Sequence, residues 1–137
     1  MPHFAKAALE RSLPASGIAY RHMPELGGLR KPKPDSINSA WRNVSFRGYA
    51  DYMQTNEFSH ALDELVELAA RQRVAIMCAE AVPWRCHRSL IADALVSRGA
   101  EVRHITGTAE PARHQLTSFA KVEDGRVTYP APDTLPI

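Results

Sequence analysis

The chain has 137 residues, 45% of them apolar and 23% charged, with 17 Lys and Arg against 15 Asp and Glu for a net charge of +2. That is one domain at roughly 150 residues each, and the composition excludes a low-hydrophobicity disordered chain. No run reaches the roughly 18 apolar residues of a membrane span, and the two cysteines, Cys78 and Cys86, are too few for a disulfide scaffold. The opening residues 1–6 hold no apolar signal segment, so a cytoplasmic setting with reduced thiols is expected.

In chain order, Phe4, Ala8, Leu9 and Leu13 predict a short amphipathic helix over 4–13, ended by Pro14 and Gly17. Residues 18–23 alternate as a strand. A long irregular stretch follows, from Pro24 to about Phe46, with Gly27, Gly28, Pro32 and Pro34 inside it. Loops of that length usually carry function. A short helix is expected over 47–54. Thr55 is a suitable N-cap for a helix over 56–71, whose Phe58, Leu62, Leu65 and Ala69 form one face. The continuous apolar run Val74–Cys78 predicts a strand covered on both faces. A loop, 79–85, leads into a helix from about Cys86 to Arg98, with Gly99 at C′. Residues 102–105 form a further strand. The tail reads as a hairpin, 121–123 and 126–129, turned at Asp124-Gly125. Alternating strands and helices of this kind indicate an α/β fold with a mostly parallel sheet.

Charge is unevenly placed. Residues 21–48 carry Arg21, Arg30, Lys31, Lys33, Arg42 and Arg47 against Glu25 and Asp35, whereas 49–70 carry five acids and no Lys or Arg. The basic stretch suits an anionic ligand or a nucleic-acid backbone, or else a solvated loop balancing the acidic helix.

The chemistry concentrates between Cys78 and Arg88. Ligands of open parallel sheets bind beyond the carboxyl ends of strands, and Cys78 ends one. Glu80, Trp84, Cys86, His87 and Arg88 follow within the same run. The helix beginning near Cys86 directs unpaired N–H groups at this loop, which favours an anion or a thiolate. Arg88 in the first turn opposes the helix dipole and so calls for an anionic partner, a ligand or Glu80. Duller roles exist for each residue: Cys78 as a small core residue, Cys86 as an inert helix start, Trp84 as a packing plug. Metal binding is a weaker alternative. Cys78 and Cys86 lack the short spacing of structural zinc sites, although His22 could join them. The sequence names no cofactor. In the middle of the chain, Asn43, Arg47, Tyr49 and Tyr52 alternate hydrogen-bonding and aromatic groups. Arg47 could fork onto a phosphate and Tyr49 stack on a base, or both could serve packing. Gly27 and Gly28 suit a turn or close backbone approach to a ligand, with His22 and Glu25 beside them.

Three segments, 78–93, 22–28 and 41–53, resemble the pattern of the family called domain of unknown function 488, and the resemblance extends from about Pro2 to Tyr129. It implies a three-layer, Rossmann-like α/β domain. It also implies a first strand, helix and second strand that this sequence lacks, so the domain is expected to be N-terminally truncated. On this basis residues 1–129 form one incomplete domain and 130–137 an extended Pro-rich tail. Two functions are compatible with these residues. One is a thiol-dependent enzyme on a small phosphate- or nucleotide-like anion, using Cys78, Glu80, Cys86, His87 and Arg88. The other is a non-catalytic nucleotide or nucleic-acid binding module. No membrane partner is expected.

Overall fold

Helix caps set most of the observed element boundaries. The computed structural model describes residues 6–28, 30–77 and 86–131. Among them are four helices: α1 (Lys6–Ala15), α2 (Val44–Tyr52), α3 (Asn56–Arg71) and α4 (Arg88–Ser97). There are two short strand pairs, β1 (Arg103–His104) with β2 (Ala112–Arg113) and β3 (Lys121–Glu123) with β4 (Arg126–Thr128), both antiparallel. The chain is therefore mixed α/β. No helix among the described residues is long and apolar enough to cross a membrane.

Thr55 caps α3, its side chain accepting the Phe58 N–H at 3.2 Å. Helices α1 and α4 end alike. Gly17 and Gly99 stand at C′ with φ of 79° and 87°. Around them Gly17 and Ile18 donate to Pro14 and Leu13, and Gly99 and Ala100 donate to Val96 and Leu95. These are Schellman closures, which need a left-handed residue that glycine supplies cheaply. Pro14 does not end α1; it lies inside the last turn, and the closure at Gly17 ends the helix.

The core joins α2, α3 and α4 to the end of the hairpin. Phe46, Tyr49, Phe58, Leu62, Leu65, Leu90, Ile91, Val127 and Tyr129 are all buried in it. Ala69, expected on the packed face of α3, is exposed. Helix α2 lies directly on the chain at residues 30–31: a Cβ at Gly48 would stand 2.0 Å from the Arg30 carbonyl oxygen, so only glycine fits.

The long stretch before α2 is tied down rather than loose. Asp51 is buried and accepts from the Lys33 N–H at 2.8 Å, the Ser36 hydroxyl at 2.6 Å and the Asn38 amide at 2.8 Å. Asn38 in turn accepts the Tyr129 N–H at 2.8 Å, and Ala40 donates to the Tyr129 carbonyl at 3.0 Å. Glu25 falls in a 3-10 turn, Pro24–Leu26.

The expected parallel sheet is not formed among the described residues. Residues 18–23 and 74–77 enter neither ladder, and Cys78 lies outside the described residues. Ile18, Met77 and Ile105 are 53%, 48% and 65% exposed, so these apolar segments are not covered on both faces. Within 102–105, Arg103 and His104 pair antiparallel with Arg113 and Ala112. The physical reason is locality. An apolar extended run does not specify its partner, and a short return loop closes at less entropic cost than a crossover.

Candidate functional site

Helix α4 positions two groups of polar side chains. The first is at its start. His87 is the N-cap residue but makes no cap bond with its side chain. The Cys86 sulfur takes that place, accepting the Arg88 N–H at 3.4 Å. With Ser89 and Leu90 donating to the Cys86 and His87 carbonyls at 3.1 and 3.0 Å, the unpaired N–H groups expected at this helix start are already taken. Cys86 is a buried thiol, 5% exposed, and its sulfur lies 3.6 Å from Nδ1 of His87. The His87 ring is 4.9 Å from the Tyr49 ring, centroid to centroid. Gly28 lies close against the same ring, since a Cβ there would be 3.0 Å from Nδ1.

Gly28, Tyr49, Cys86 and His87 thus meet at one place. Several candidates serve the scaffold. Asn43 caps α2, accepting the Phe46 N–H at 3.1 Å. Arg47 donates to the Trp41 carbonyl at 3.4 Å. Tyr49 is 1% exposed and donates to the Leu26 carbonyl at 2.8 Å, so neither face of its ring is open to a base. Its hydroxyl is held above the ordinary phenol range, mainly by burial. Gly27 closes the 3-10 turn by donating to the Pro24 carbonyl. Glu25 is exposed, with its carbonyl accepting the Tyr52 hydroxyl, and His22 is exposed. Cys78, Glu80 and Trp84 lie outside the described residues. Among those described, no group of three or more His, Cys, Asp and Glu could hold a metal ion.

The second group was not anticipated. Asp93, halfway along α4, is wholly buried. Its Oδ1 accepts from Nε2 of His114 at 2.7 Å and from the Thr117 N–H at 3.0 Å. Its Oδ2 accepts from the Thr117 hydroxyl at 2.6 Å and the Tyr129 hydroxyl at 2.7 Å. Beyond His114, its Nδ1 meets Nε2 of His104 at 2.7 Å. Burial and the Asp93 charge hold the Tyr129 proton well above the usual phenol range. His104, partly exposed, is lowered from the ordinary imidazole value by burial first, then by the charges of His114 and Arg88. One sequence signal pointed here: Asp93 sits three residues after Leu90 and next to Ala94, a carboxylate on the apolar stripe of its helix.

The family model described as Domain of unknown function DUF488 matches residues 1–95, more than half of the chain. The chain belongs to the DUF488 family. No curated protein and no solved structure matches it. The DUF488 match takes in Cys86, His87, Arg88 and Asp93 and stops short of Tyr129, where the resemblance read from the sequence ends. The donors that surround Asp93 therefore come from the part of this DUF488 chain beyond the match.

Proposed function

We propose that this DUF488 chain is a thiol-dependent enzyme for a small phosphate- or nucleotide-like anion, with its site at the start of α4. The observation that carries this reading is convergence: Gly28, Tyr49 and the pair Cys86–His87 come from three segments and meet at one helix start. The dipole of α4 and the Arg88 guanidinium supply positive potential there, while the first-turn N–H groups themselves donate to the Cys86 sulfur and to the Cys86 and His87 carbonyls. In this reading Cys86 is the nucleophile, His87 moves the proton and Arg88 holds the anion. Cys78 and Glu80 are assigned to the same site because they stand in the run that leads into this helix.

One observation favours a second reading, a non-catalytic binding module. Cys86 is 5% exposed and its sulfur already accepts a helix N–H. The nucleic-acid form of that module has less support, because Tyr49 is buried and Tyr52 lies under the Arg30 guanidinium, 3.7 Å from its ring centroid. Iodoacetamide labelling of the full chain carrying Cys78→Ser, at neutral pH with and without inorganic phosphate, separates the two. The enzyme reading expects Cys86 to be alkylated in the folded protein and phosphate to slow the reaction. A thiol that labels only on unfolding overturns it, and phosphate binding by calorimetry without labelling then supports the module.

A further inference from the structure

The hydrogen bonds around Asp93 fix the direction of a proton path. A carboxylate only accepts, and its four partners are a backbone N–H, two hydroxyls and a ring nitrogen of His114. Nε2 of His114 therefore carries a hydrogen. In neutral His114 this leaves Nδ1 as an acceptor, so Nε2 of His104 is the donor across the 2.7 Å contact. Neutral His104 then has a bare Nδ1, and among the described residues no hydrogen-bond partner meets it. Asp93 needs no second imidazole to be satisfied. His104 extends the chain from a wholly buried carboxylate to a partly exposed ring near the Arg88 charge.

We propose that His104 is a second general base of this protein, acting on a substrate hydroxyl or water rather than on the thiol beside His87, with Asp93 and His114 as positioning residues that present its Nδ1 to substrate. The inference deepens the reading above, taking from it only the anion held at Arg88. In the step, Nδ1 of His104 takes the proton of a substrate hydroxyl or a water, whose oxygen keeps the electron pair. The Nε2 hydrogen of His104 can pass to Nδ1 of His114, so the positive charge comes to rest beside the Asp93 carboxylate. No proton is lost: His104 ends with its hydrogen on Nδ1, and His114 with one on each nitrogen. Reprotonating the product reverses the shift.

Long-range nitrogen–hydrogen correlation NMR on the labelled full chain, above neutral pH, reads the tautomers directly. The expected result is hydrogen on Nε2 of both His104 and His114, with Nδ1 of His104 unprotonated. Hydrogen on Nδ1 of neutral His104 overturns the proposal. Diethyl pyrocarbonate provides a second readout, because it acylates an available imidazole nitrogen. His104 should react faster than His114, and His114→Gln should slow its acylation several-fold in protein that keeps its helical circular dichroism. Unchanged His104 reactivity in folded His114→Gln also overturns the proposal; if that variant does not fold, the wild-type tautomers decide. Both measurements are repeated on Cys86→Ser. A failed thiol reading leaves the His104 results intact, and a wrong tautomer leaves Cys86 labelling intact.

Discussion

Asp51 and Asp93 are both buried carboxylates on helices, and both are fully served with donors, yet they do different work. Asp51 is met by a backbone N–H, a hydroxyl and an amide, none of which titrates near neutral pH. It ties residues 33–38 onto α2 and turns a long irregular stretch into part of the scaffold. Asp93 is met by His114, which leads through His104 toward the surface. A buried charge among fixed donors is a clamp; the same charge at the end of an imidazole chain can receive the consequences of protonation outside.

Substitutions at the two positions sharpen this contrast. The largest effect is expected for Asp93→Ala, which strands His114, Thr117 and Tyr129 in the core. Denaturant unfolding should show a loss of about 3–5 kcal/mol, the range for removing one partner of a buried charged pair. Asp51→Ala should cost less, about 1.5–3 kcal/mol for hydrogen bonds to a charged group, because two of its three donors, the Lys33 N–H and the Ser36 hydroxyl, are only part-buried and can turn to water. Equal losses would break the distinction between a core charge and a loop clamp.

Tyr129→Phe removes a single donor from Asp93 and should cost about 0.5–1.5 kcal/mol, since the other three remain. The tyrosine also predicts alkaline sensitivity. Its folded-state affinity for the proton is raised, so its contribution is complete below the ordinary value of 10 and is lost as pH rises above it. Thermal melts between neutral and alkaline pH should show this fall flattened in Tyr129→Phe.

The smallest effect is the acid side of the relay. His104 binds its proton less readily when folded, so its contribution is complete above 6.5 and declines as pH falls below that value. Arg88, Asp93 and His114 are the charged or titratable groups that act on it. Melts across this range should lose a slope in His104→Gln but keep it in Asp51→Asn. A slope lost equally in both would assign it to something other than the imidazole chain.

Local signals in the sequence carried far where the structure they specify is local. Asp124 and Gly125 have φ of 52° and 74°, the mirror-image turn that an Asp-Gly pair requires, and β3 and β4 pair around it as expected. Thr55 starts α3 and Gly99 closes α4 for the same kind of reason. At the candidate site, Gly28, Tyr49, Cys86 and His87 were legible as residue types, and they do come together. Arg47 and Asn43 were equally legible as polar residues, and each turned out to serve a helix or a loop carbonyl.

What the sequence determined by itself was therefore the set of elements bounded by caps, glycines and tight turns, together with family membership. Those features depend on interactions within a few residues, where one side chain's geometry decides the outcome. The pairing of Arg103 and His104 with the segment after them, and the surroundings of Asp93, were decided only in three dimensions. Asp93, His104, His114, Thr117 and Tyr129 are drawn together from α4, β1, the chain after β2 and the end of the hairpin. A carboxylate on an apolar helix face announces that donors must exist, because burying it alone is prohibitively costly. Only the packing of distant segments determines which donors those are, and whether they titrate.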